Sequence, residues 1–91
     1  MNQLQSIKDR IDEGEIGEAI TRLNTYISTE PSHHDEAFYL LGNAYRKQGD
    51  WQQALNNYSR AIDLNPDSPA REARRMVMDI LNYYNKELYN P

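Results

Sequence analysis

The chain of 91 residues contains no cysteine, which excludes a disulfide framework, a thiolate metal site and thiol catalysis. No stretch approaches the ~18–20 consecutive apolar residues of a membrane span. Histidine is confined to the adjacent pair His33 and His34, whose side chains point in different directions at a helix start, so no metal shell can be completed from them. Positive charge is also short. Ten Lys and Arg against fourteen Asp and Glu leave a net charge of -4, which opposes the long-range attraction that nucleic-acid binders use toward phosphates. The opening residues MNQLQSIKDR lack the apolar core of a signal peptide, so a cytoplasmic protein is expected.

What the chain does have is helical periodicity. Apolar residues recur every three or four places through Leu4, Ile7 and Ile11, then Ile16, Ala19, Ile20, Leu23, Tyr26 and Ile27. The period resumes at Ala37, Phe38, Leu41, Ala44 and Tyr45, again at Ala54, Leu55, Tyr58, Ala61 and Ile62, and last at Ala73, Met76, Val77, Ile80, Leu81 and Tyr84. These spacings predict five helices and no strands. Gly14 and Gly49 sit where helices should stop in the left-handed conformation, and Pro31 and Pro66 close the second and fourth. Ser32 with Asp35, and Asp50 with Gln53, read as capping boxes, while Ser68-Pro69 reads as an N-cap followed by proline at the first helical position. Connections this short force antiparallel helical hairpins.

The hairpins repeat. Gly14, Ala19, Leu23 and Pro31 recur 35 places later as Gly49, Ala54, Tyr58 and Pro66, and Leu4, Ile7 and Ile11 recur 34 places later as Phe38, Leu41 and Tyr45. Gly42, inside a helix, costs on the order of 1 kcal/mol relative to Ala, so it calls for a packing reason. Close approach to the second helix of its hairpin near Ala54 is the expected one.

Phe38-x-x-Leu41-Gly42-x-x-Tyr45, followed by Ala54-x-x-x-Tyr58, Ala61 and Pro66, resembles the tetratricopeptide repeat. The first hairpin is a degenerate copy with Lys8 where the pattern has Gly. The resemblance implies an all-α, right-handed α-α superhelix: repeat 1 over about 1–31, repeat 2 over about 35–66, and a capping helix over about 69–88, together one domain spanning 1–91. A one-residue insertion after Pro66, like the one after Pro31, would put Ala73, Met76, Val77 and Ile80 on the apolar positions of that last helix.

Members of this family bind peptide segments or helices of partner proteins in a concave groove and are usually not enzymes. The resemblance therefore implies groove positions at Gln5 and Asp9 in the first repeat, Tyr39, Asn43, Arg46 and Lys47 in the second, and Arg71, Arg74 and Arg75 on the last helix. The expected partner is a protein or peptide, acidic groups being among those it could carry, with no nucleic acid, membrane, metal or cofactor involved. Because no nucleophile constellation, phosphate loop or carboxylate pair can be assembled from the sequence, catalysis is not expected. The competing reading is a structural module that pairs with itself through the last helix, using Tyr83, Tyr84, Leu88 and Tyr89, in a chain that is otherwise a monomer or weak homodimer.

Overall fold

The computed structural model describes the backbone of residues 3–89, with side chains as far as residue 83. Five helices are present among the described residues: α1 (Gln3–Asp12), α2 (Ile16–Thr29), α3 (His34–Gln48), α4 (Trp51–Leu64) and α5 (Ala70–Tyr89). None is long and apolar enough to cross a membrane. They fold as two antiparallel hairpins followed by a single helix, α3 packing on both α2 and α4, and α5 packing on α4.

Both glycine stops work as the sequence requires. Gly14 (φ 89°) and Gly49 (φ 81°) adopt the left-handed region. At the first stop the N–H of Gly14 donates to Ile11 O at 3.0 Å and that of Glu15 to Arg10 O at 2.9 Å. At the second, Gly49 donates to Arg46 O and Asp50 to Tyr45 O, both at 2.9 Å. This paired pattern satisfies carbonyls that the helix end would otherwise leave open.

Two of the three expected N-caps form. Asp50 Oδ1 accepts from the Gln53 N–H at 3.2 Å, and Ser68 Oγ accepts from the Ala70 N–H at 3.0 Å. Ser32 does not cap α3. His33 takes the N-cap position in the left-handed conformation (φ 62°, ψ 29°) without a side-chain cap bond. The turn is pinned from α2 instead: Tyr26 Oη donates to Ser32 O at 3.1 Å, and the His34 ring nitrogen bonds Glu30 O. Holding the Ser32 carbonyl against α2 leaves the bend into the helix to the next residue.

The core has two parts. One gathers Leu4, Ile7 and Ile11 of α1, Ala19 and Leu23 of α2, and Ala37, Leu40, Leu41 and Ala44 of α3. The other gathers Ala54, Tyr58 and Ala61 of α4 with Ala70, Ala73 and Val77 of α5. Phe38, Tyr39 and Tyr45 of α3 are half-buried and pack against both, so α3 joins the two units.

Gly42 proves to make room for Tyr58 rather than for Ala54. A Cβ built on Gly42 would fall on Cδ1 and Cε1 of the Tyr58 ring, with Cγ at 3.0 Å. Tyr58 is fully buried and cannot move aside. The bulk that the repeat carries on α4 is accommodated by the absence of a side chain on α3.

The register of α5 also differs from expectation. The buried residues Ala37, Leu40 and Ala44 of α3 recur in α5 as Ala70, Ala73 and Val77, an offset of 33 rather than 35. Met76, expected inside, is 40% exposed. Ala70 follows the Ser68 cap directly, and its small side chain, like that of Ala73, fits close beneath Ala61 and Ala54 in the same cluster. The larger Met76 is turned outward.

Candidate binding groove

The helical period of α5 divides its residues into three faces. Ala70, Ala73 and Val77 point inward, with Leu81 packed behind them. Arg71, Arg74, Arg75, Met78 and Asn82 form a second face, which lines a depression of about 630 Å³ together with Ile62 of α4 and with Glu72 and Asp79 at its edge. Met76 and Tyr83 remain for the third, flanked by Glu72 and Asp79 on the arginine side and by the half-buried Ile80 on the inward side. In the α3 register the second face corresponds to Phe38, Leu41, Gly42 and Tyr45, the residues that meet α4. The arginines thus occupy the side of α5 on which a hairpin partner would lie. The third face corresponds to Tyr39, Asn43 and Arg46.

Those α3 residues are drawn together. Tyr39, Leu40, Asn43, Arg46 and Lys47 line a depression of about 460 Å³ with Lys8, Ile11 and Asp12 of α1 and with Trp51. Tyr39, Leu40 and Lys8 also line an adjoining depression of about 430 Å³, shared with Gln5, Asp35, Glu36, Ser68 and Pro69. The two form a continuous concavity between α1 and α3, reaching the start of α5, with Tyr39 at its centre. Gln5 and Asp9 stand on its α1 side, where Gln5 Nε2 donates to Asp9 Oδ1 at 3.2 Å. The structure therefore brings Gln5, Tyr39, Asn43, Arg46 and Lys47 to one concavity and gathers Arg71, Arg74 and Arg75 around another.

Polar order in the concavity comes from Tyr58 beneath it. The Tyr58 hydroxyl donates to Asn43 Oδ1 at 2.5 Å, which fixes the carboxamide and turns its Nδ2 donor away from that bond. Burial raises the Tyr58 pKa above its ordinary 10.0, the hydrogen-bonded Arg46 guanidinium pulling the other way and the neighbouring Tyr39 adding to the rise. The Tyr39 and Tyr58 rings sit 6.1 Å apart at 38°, a tilted arrangement that holds Tyr39 over the core.

Charge is unevenly distributed. Lys8 pairs with Asp12 at 3.6 Å, while Lys47 is exposed without an ion-pair partner among the described residues. In the depression around Asn43, three cations (Lys8, Arg46, Lys47) stand against the single carboxylate of Asp12. On α5, the Arg75 guanidinium bonds both Glu72 and Asp79, the latter at 2.7 Å. This lowers the Glu72 pKa below its ordinary 4.5 through the hydrogen bond and charge of Arg75, and raises that of Arg75 in return. Arg71 reaches back to Pro66 O at 3.3 Å.

Leu40, Lys8 and Trp51 were not among the sequence-predicted groove residues. Leu40 lies three residues after Ala37 and four before Ala44, a signal present in the spacing but overshadowed by Leu41. Among the described residues no cluster of three or more His, Asp or Glu side chains could hold a metal ion. Of the residues assigned to a dimer patch, Tyr83 is 62% exposed, and the side chains of Tyr84, Leu88 and Tyr89 lie outside the described residues.

Comparison with known proteins agrees with this architecture. The tetratricopeptide repeat model matches residues 35–68. The solution NMR structure of Bacteroides fragilis protein BF1650 is 62% identical and superposes with a TM-score of 0.90, over 99% of this chain and 91% of that one. Cellulose synthase operon protein C of Escherichia coli strain K12 and its putative counterpart in Escherichia coli O157:H7 are each 30% identical over 74 residues. That alignment takes in 81% of this chain but only 6% of those relatives' length. The glycine-tyrosine hairpin, the 34-residue spacing and these matches together make the chain a member of the tetratricopeptide repeat family.

Proposed function

We propose that this protein is a protein–protein interaction module that holds a segment or helix of a partner in the concavity between α1 and α3. The observation that carries this reading is the polar and cationic lining over an apolar floor: the half-buried Asn43 and Arg46 and the exposed Lys47 stand around Tyr39 and Leu40 at the spacing of one helix face. Residues that only solvate a helix need no such floor. Tyr39 packs on the bound segment, Asn43 and Arg46 hydrogen-bond it, and Lys47 favours acidic groups. Gln5 and Asp9 border it on the α1 side. The arginines of α5 stand apart from this contact.

The same reading takes the protein as non-catalytic, working in the cytoplasm without cofactor, nucleic acid or membrane. The test is a pull-down from native cell extract with wild type and with the double variant Asn43→Ala/Arg46→Ala. Loss of specific partners from the variant is expected, and identical partner sets would contradict the groove. Self-association through the last helix is the second reading, favoured by the exposure of Tyr83. A dimer in light scattering that persists in high salt and is lost on Tyr83→Glu would move the conclusion to it.

A further inference from the structure

A depression of about 380 Å³ lies between α2 and α4 and shares no residue with the concavity between α1 and α3. Its size falls in the range of about 300–1,000 Å³ usual for small-ligand sites. Four carboxamides line it, Asn24 of α2 and Gln53, Asn56 and Asn57 of α4, next to Leu41 and Tyr45 of α3. Among the described residues Arg60 is the one charged member of the lining. No carboxylate enters it, in a chain that carries fourteen Asp and Glu.

Asn57 sets the chemistry of this depression. The residue is only 7% exposed, and its Nδ2 donates to Gln53 O at 2.8 Å. Its Oδ1 meets no donor of the protein among the described residues. That oxygen is not sealed in, because Arg10 Nε is the one fully enclosed side-chain nitrogen or oxygen there without a partner. The opening it keeps is the depression that Asn57 lines. An acceptor buried this far is costly to leave without a donor, and a group entering from outside would satisfy it. The neighbouring Asn56 is ordered in the complementary sense. Its Oδ1 accepts from Gln52 Nε2 at 3.2 Å, which leaves Nδ2 to donate outward. The Arg60 guanidinium, 5.6 Å from the centre of the Phe38 ring and without an ion pair among the described residues, adds further donors.

These groups narrow the ligand. A carboxylate cannot donate to Asn57 Oδ1, and an ammonium cannot accept from Asn56 or Arg60 and is repelled by Arg60. An incoming helix has its backbone donors and acceptors already paired, and an extended strand needs a free sheet edge, which a helix face lacks. A hydroxyl both donates and accepts and carries no charge. We propose that the depression between α2 and α4 binds a neutral saccharide. One hydroxyl donates to Asn57 Oδ1, a neighbouring one accepts from Asn56 Nδ2 or Arg60, and the C–H side of the sugar ring lies against Tyr45. The site is separate from the groove and does not depend on it.

The experiment exposes the wild-type protein to an array of neutral and acidic oligosaccharides and follows the best-bound one by NMR titration of the side-chain amides. Neutral glycans should bind in preference to acidic ones. The Asn56 and Asn57 carboxamide signals should shift, and that of Asn43 in the other concavity should stay. Asn57→Leu keeps the bulk and removes the acceptor, and should weaken binding about tenfold. Asn56→Ala and Arg60→Gln should weaken it severalfold. Both change only exposed side chains, so they decide the matter even where Asn57→Leu fails to fold. Lys47→Glu should leave the affinity unchanged.

Failure of every neutral glycan to bind, or wild-type affinity in both Asn56→Ala and Arg60→Gln, would overturn the proposal and leave the depression to water. Shifts confined to the residues around Tyr39 would overturn it too. Acidic glycans bound in place of neutral ones would make this an anion site built on Arg60. A peptide selected on the wild type and lost on Asn56→Ala, with no glycan bound, would make it a peptide site. Either result contradicts the saccharide.

Discussion

The ring of Tyr58 fills the space that a Cβ on Gly42 would need, and its hydroxyl donates to Asn43, the residue beside that glycine. One contact thus fixes the α3–α4 hairpin and orients a polar group in the candidate groove. Gly42→Ala should gain up to about 1 kcal/mol in helix propensity. It should lose about 1–3 kcal/mol to overpacking, because the buried ring has nowhere to go. A lower urea midpoint is the expected net result. In a Tyr58→Leu background the cost should shrink.

Tyr58→Phe keeps the packing and removes the hydrogen bond, an expected loss of about 0.5–1.5 kcal/mol. Its pH dependence carries a second signature. Because burial raises the Tyr58 pKa above 10.0, the unfolded chain releases this proton first as pH rises. The stabilisation is complete below the unfolded value, near pH 10, and is lost as pH climbs through the folded one. Wild type should therefore lose more stability than Tyr58→Phe above pH 10, measured by denaturant midpoints at fixed ionic strength.

How much of this was legible in the sequence depends on the range of each interaction. The hairpins were readable because their signals are local: the left-handed glycines, the Asp50 and Ser68 caps, and the three-and-four spacing of apolar residues. The N-cap of α3 was not, because the Tyr26 hydroxyl reaches Ser32 from α2 and shifts the bend to His33. The register of α5 was hidden for another reason. That helix carries two apolar stripes, Ala70–Ala73–Val77 and Met76–Ile80–Tyr83, and only the close fit beneath α4 chooses the smaller one. The arginines moved with that choice, from the expected groove to the side facing Ile62.

His33 pays for its left-handed conformation with backbone strain of about 1–2 kcal/mol. Its side chain is exposed and makes no cap bond. His33→Gly should stabilise the fold by up to about 1 kcal/mol after the entropy of glycine in the unfolded chain is counted, read as a higher urea midpoint. Gly49→Ala should do the reverse, since φ 81° with Ala in place of Gly strains the end of α3.

On α5 the two kinds of residue should separate cleanly in stability. Val77→Ala removes fully buried methyl groups at the α4 contact and should cost about 1–2 kcal/mol, by analogy with other deletions of buried branched side chains. Arg75→Gln touches only exposed ion pairs and should leave the urea midpoint nearly unchanged.

The most direct test of the central claim, that the concavity between α1 and α3 holds a partner, is site-specific photo-crosslinking in native cells. A benzophenone side chain at Gln5, on the α1 side of the concavity, is compared with one at Asn56, which lines the depression between α2 and α4. Defined adducts from Gln5, lost on Lys47→Glu and absent from Asn56, are the predicted result. Adducts from Asn56 with none from Gln5 would contradict the account.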